Sequence, residues 1–116
     1  MFILDAPEVS LQKLGDSSDN VTLICNVESQ PGADVVIYRD KTPLFTSSDN
    51  ETDVHVTHDT GHDLTVYTLH LHHLDISQFG DYICSADNIL GSDRKTVKVS
   101  GKTSGVLFLF IDLIRV

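Results

Sequence analysis

All six histidines of the chain lie between His55 and His73: His55, His58, His62, His70, His72 and His73. On an extended segment His70 and His72, two apart, project from one face, a spacing that can hold a metal ion. Side chains that titrate near neutrality also admit a pH response. The plainer reading, and the one adopted, is a solvated strand face bearing polar side chains, so no metal is assigned. Serine, histidine and aspartate are plentiful, yet the chain contains neither a Gly-x-Ser-x-Gly elbow nor a His-Glu-x-x-His pair. Asp59, Asp63 and Asp75 sit in turn contexts that need only solvent. With no catalytic role that a named residue can fill, the chain reads as a non-enzyme without a cofactor.

The remaining chemistry belongs to cysteine and asparagine. Cys25 and Cys84 are the two cysteines, 59 positions apart. Two cysteines cannot make a zinc site unaided, and the Cys-x-x-Cys spacing is missing. A crosslink closing so long a loop stabilises by roughly 4 kcal/mol in the chain-entropy model, and it persists in an oxidising compartment. Asn20-Val21-Thr22 and Asn50-Glu51-Thr52 are N-glycosylation acceptors, Asn20 on an outward face at a strand start and Asn50 in a loop. Together these features favour an extracellular, cell-surface setting. Met1-Phe2-Ile3-Leu4 meets Asp5 and Pro7 too soon to be a signal-peptide core, so that setting makes the chain a fragment or the product of an incomplete gene model.

Totals narrow the partners. At 116 residues there is room for one domain with one core. Hydrophobic residues at 41% and charged residues at 22% describe a globular chain. The formal charge of −9 repels phosphate backbones and anionic headgroups, which argues against nucleic acid and lipid surfaces. Protein partners remain.

The elements that must position these residues read as strands. Val21, Leu23, Cys25 and Val27 share one face of an unbroken run, opposite Asn20, Thr22 and Asn26, with Ile24 the apolar exception. Val35-Val36-Ile37-Tyr38 is apolar on both faces, the pattern of a central strand. Lys41-Thr42-Pro43 turns the chain into Leu44-Phe45-Thr46, and Ser47 to Asn50 is loop chemistry. Val54 and Val56 alternate with His55 and Thr57; after a turn at Asp59-Thr60-Gly61, Tyr67, Leu69 and Leu71 face inward while Thr68, His70 and His72 face outward. Asp75 to Gly80 turns, Tyr82, Cys84 and Ala86 point inward, Asn88 to Gly91 is a tight connection, and Val97 and Val99 alternate in the last strand. Seven or eight strands without a helical period predict an all-β sandwich or barrel; both cysteines on inward faces select the sandwich.

The segment from Leu69 to Cys84 resembles the immunoglobulin superfamily, its intermediate set (I-set) in particular. It carries a Tyr two residues before the second Cys (Tyr82, Cys84) and a Gly two before that Tyr (Gly80), and Ala86 to Gly91 matches the family's last hairpin. The resemblance implies an immunoglobulin-like Greek-key β-sandwich, two antiparallel sheets of 7–9 strands in all, with a Cys25–Cys84 disulfide between them. It implies that the Tyr82 hydroxyl bonds backbone a few residues upstream. Two departures stand out. The chain has no Trp, and Ile37 stands where the family packs one on the disulfide, which predicts a looser core. Gln78 stands where the family often has an Asp. Cys25 to Ser29, Ile37 to Asp40 and Tyr82 to Gly91 are similar to membrane-proximal domains of neural adhesion molecules such as lachesin and the IgLON group.

The organisation read from this is a remnant of a preceding domain or linker at 1–5, an Ig-like I-set domain at 6–100, and an apolar tail at 101–116. The tail reads as a truncated anchor signal, an extra strand or an artefact, since Asp112 interrupts an apolar run too short to span a bilayer. The resemblance implies a recognition module of a cell-surface adhesion protein, meeting homophilic or heterophilic Ig-family ectodomains. Membrane attachment would come only through an anchor outside or at the end of the chain. The expected contact surface is an outward face carrying Val36, Tyr38, Ile83 and the Leu44-Phe45 edge, because apolar groups facing outward suggest contact. A structural I-set spacer in an intracellular muscle-type filament protein is the alternative.

Overall fold

Period-two alternation leaves each segment with one face to bury, and two such sheets bury theirs against each other. In a computed structural model, residues 4–17, 20–48, 54–59 and 63–100 are described. They form β1 (Asp5–Ser17), β2 (Asn20–Gln30), β3 (Asp34–Arg39), β4 (Thr42–Thr46), β5 (Val54–Asp59), β6 (Leu64–Leu71), β7 (Gly80–Asn88) and β8 (Gly91–Val99). One sheet runs β1-β2-β6-β5 and the other β4-β3-β7-β8, with every pairing antiparallel. The chain changes sheet after β2, β4 and β6, which makes the fold an immunoglobulin-like Greek-key sandwich.

The core is drawn from the inward positions: Leu23, Cys25 and Val27 of β2, Val35 and Ile37 of β3, Tyr67, Leu69 and Leu71 of β6, and Tyr82, Cys84 and Ala86 of β7 are all buried. Cys25 and Cys84 are joined across the sheets at its centre, with Cα atoms 6.5 Å apart. Ile37, paired with Cys84, leaves beside the bridge an apolar cavity of only about 10 Å³. Phe45 and Tyr67 supply the bulk that a Trp would otherwise provide, their ring centroids 5.6 Å apart. Tyr67 lies opposite Cys25 and Phe45 opposite Ile37, so Tyr67 adjoins the disulfide and Phe45 packs on Tyr67 from the other sheet. The core is therefore tighter than the missing Trp implies.

Two local features differ from the pattern read in the sequence. β1 runs to Ser17, ahead of the first strand read in the sequence at Asn20, because pairing with β2 carries it along despite an imperfect apolar alternation. β6 ends at Leu71, so His72 lies just past the strand rather than on it. The turn read from Asp75 to Gly80 is built on a single 3-10 turn, Ile76–Gln78, which Gln78 closes: the Asp75 N–H donates to Gln78 Oε1 (3.1 Å) while Ser77 N–H donates to Asp75 Oδ1 (2.9 Å).

The sheet edges are tied by polar contacts. Val9 N–H donates to Asp93 Oδ2 at 2.8 Å and Lys13 Nζ to the Lys98 carbonyl at 2.9 Å, which joins β1 of one sheet to β8 of the other. The Val9 bond is the main reason the Asp93 carboxyl is held below its ordinary value.

Candidate interaction face

β3 and β7 are the central strands of their sheet, and their outward residues define its outer face. Tyr38 stands directly opposite Ile83 and Val36 opposite Ser85. Val36, Tyr38 and Ile83 are each half-buried rather than covered. Ionic side chains surround this apolar centre. Asp34 faces Asp87 at one end, Arg94 lies across from Ser85, and Lys98 lies across from Asp81. Like charges facing each other across a ladder cost stability, so the Asp34–Asp87 pair marks the acidic end of the face.

The edge strand corrects the expected surface. A register shift falls between the Ile37↔Phe45 and Tyr38↔Pro43 pairs, leaving Leu44 as the extra residue of a bulge. Directly paired residues share a face of the sheet. Phe45 therefore follows Ile37 into the core, where it is 5% exposed, while Pro43 joins Tyr38 on the outside. Leu44 remains at the surface, 39% exposed. Phe45 does not belong to the interaction face.

Tyr82, Gly80 and Asp40 fix the end of this sheet. The Tyr82 hydroxyl donates to the Gln78 carbonyl at 2.6 Å, and burial raises its pKa above the ordinary 10.0. Gly80 has φ +147°, and a Cβ there would lie 2.6 Å from Asp40 Oδ2. Asp40 itself accepts from Asp81 N–H (3.0 Å) and donates its own N–H to the Asp81 carbonyl (2.7 Å). Glycine is thus required where the β3–β4 turn meets the start of β7.

Asn20 opens β2 and lies opposite Ser17; Asn50 and His62 fall outside the described residues. His70 Nδ1 lies 3.0 Å from Thr22 Oγ1, and its ring stacks on His72 at 5.9 Å with planes 19° apart. His58 Nδ1 lies 3.1 Å from Thr65 Oγ1. Stacked rings do not converge two nitrogens on one ion, and among the described residues no group of three or more His, Cys, Asp or Glu could hold a metal. The face that sequence reasoning undervalued is the other one. On β1-β2-β6-β5 the outward positions around Ile24 carry few charges, a pattern visible only once strand neighbours are known.

A family model described as Immunoglobulin domain matches residues 6–88. None of the curated proteins matches the chain. Among solved structures, titin domain M4 aligns with a TM-score of 0.62 at 24% identity, covering 87% of this chain and 100% of that one. A chain from the complex of Dpr2 Ig1-Ig2 with DIP-Theta Ig1-Ig3 aligns with a TM-score of 0.65 at 22% identity. That alignment covers 82% of this chain and 32% of the other. Titin domain M3 gives 0.58 at 20% identity, with 83% and 95% covered.

Proposed function

The chain belongs to the immunoglobulin-domain family, and from that premise we propose that it is an extracellular recognition module of a cell-surface adhesion protein. It is of the intermediate set, akin to the lachesin and IgLON group, and binds rather than catalyses. The observation that carries this reading is the Tyr38–Ile83 pair, with Val36 beside it, half-exposed at the centre of an outer face ringed by charge. An apolar centre with a polar rim is the anatomy of a protein contact, and the charges at Asp34, Asp87, Arg94 and Lys98 would set its register. The Cys25–Cys84 bridge and the acceptor sites at Asn20 and Asn50 support an oxidising, secreted setting. The Dpr2–DIP-Theta complex supports immunoglobulin-family ectodomains, homophilic or heterophilic, as the class of partner.

The test uses beads coated with the chain for homophilic contact, and a panel of immunoglobulin-family ectodomains for heterophilic contact. Tyr38→Glu with Ile83→Lys abolishes association while the melting temperature stays near wild type. Unchanged association removes this face from the function.

The likeness to titin M4 and M3 supports a second reading, a structural spacer in an intracellular muscle-type filament protein. Thiol counting in protein taken from its native source separates the two. Two reactive thiols on denaturation without reductant favour the spacer, and none favours the extracellular module.

A further inference from the structure

The outer face of β1-β2-β6-β5 has an uncharged middle, with Glu8 facing Glu28 at one end. On β1-β2-β6-β5 the outward positions from Ser10 to Leu14, from Thr22 to Asn26 and from Val66 to His70 include no Asp, Glu, Lys or Arg. The chain as a whole is 22% charged, and the opposite sheet carries Asp34, Asp87, Arg94 and Lys98 on its outer face. The uncharged region still exposes apolar surface: Leu14 is 47% exposed, and Ile24 is half-buried. Hydroxyl and amide side chains of Gln12, Thr22 and Thr68 surround them.

Asn20 lies on this same face. Val21, Leu23 and Cys25 turn inward, so Asn20, Thr22 and Ile24 alternate outward along β2. The acceptor Asn20-Val21-Thr22 therefore begins at the margin of the uncharged region and runs into it. Ile24 is roughly 13 Å from Asn20 along the strand, within the span of a few sugar rings. A sugar ring presents C–H faces that cover apolar groups and hydroxyls that pair with amides and hydroxyls, and it needs no charged partner.

We infer that an N-linked glycan on Asn20 lies over the outer face of β1-β2-β6-β5, covering Leu14 and Ile24, and so confines protein contact to the sheet that carries Tyr38 and Ile83. This rests on the extracellular reading. The two faces then have separate tasks: one is covered by the chain's own sugar, and the other stays open to a partner.

The experiment takes the full chain secreted by eukaryotic cells, with Asn50→Gln as a common background so that one acceptor is read at a time. Glycopeptide mass spectrometry gives occupancy at Asn20, and hydroxyl-radical footprinting reads side-chain coverage. Sugar is expected on Asn20 in the parent and in Thr22→Ser, and lost in Asn20→Gln. Oxidation of Leu14 and Ile24 is lower in the sugared protein than in Asn20→Gln, while Leu44 and Ile89 are labelled equally in both. Enzymatic release of the sugar from the folded protein provides the same comparison without a substitution. A bare Asn20, or a sugared one with Leu14 and Ile24 labelled as strongly as in Asn20→Gln, overturns the inference. Neither result touches the adhesion reading, which stands or falls on Tyr38→Glu with Ile83→Lys.

Discussion

Phe45 and Tyr67 meet inside the sandwich with their rings tilted by 56° and their centroids 5.6 Å apart. The geometry is one that aromatic pairs favour, and it joins an edge strand of one sheet to a central strand of the other. The pair carries the packing beside Cys25–Cys84 in a chain that has no Trp. Tyr67 is buried deeply enough that its hydroxyl pKa is raised, chiefly by loss of solvent and then by the charge on Asp34.

Truncation separates the two neighbours on β4. Phe45→Ala should cost about 3–5 kcal/mol, the range for removing a buried aromatic. Leu44→Ala, at the exposed bulge, should stay within about 0.5 kcal/mol of wild type. Urea unfolding of both variants checks this, and equal small losses would return Phe45 to the surface.

Restoring the absent Trp should not help. The space beside Ile37 amounts to about 10 Å³, so Ile37→Trp overpacks the centre and costs roughly 1–3 kcal/mol. A higher melting temperature for this variant would show that the core has room that the structure does not contain.

The disulfide is the largest single constraint on the unfolded chain. Cys25→Ala with Cys84→Ala should lower stability by about 4 kcal/mol, as expected for a loop of this length. Denaturant midpoints of the double variant and of the reduced wild type should fall together. A gap between them would mean that the cavity left by the alanines matters more than the loop.

Tyr82 should give the domain an alkaline limit. Burial raises its folded pKa above 10.0, so above that pH the unfolded chain loses its proton first. The stabilisation is complete below the unfolded value and disappears as pH rises through the folded one. Tyr82→Phe should cost about 1–3 kcal/mol near neutrality by leaving the Gln78 carbonyl unpaired. Its midpoint should also fall less than wild type between about pH 8 and about pH 11. Parallel pH profiles would contradict the buried hydroxyl.

Much of this domain follows from the sequence alone, because a strand's period of two assigns each side chain a face without reference to any neighbour. That is why the inward positions of β2, β6 and β7, both cysteines among them, were legible, and with them the sandwich. Tertiary structure decided what depends on a partner strand. One extra residue at Leu44 shifts the pairing and sends Phe45 inward, since a slip of one position exchanges the two faces of everything beyond it. β1 reaches Ser17 because β2 lies alongside, and His72 leaves the strand because pairing stops at Leu71. The uncharged face around Ile24 and the Tyr38–Ile83 centre are likewise properties of strands placed side by side. Local alternation sets which way a residue points; register sets what it meets there.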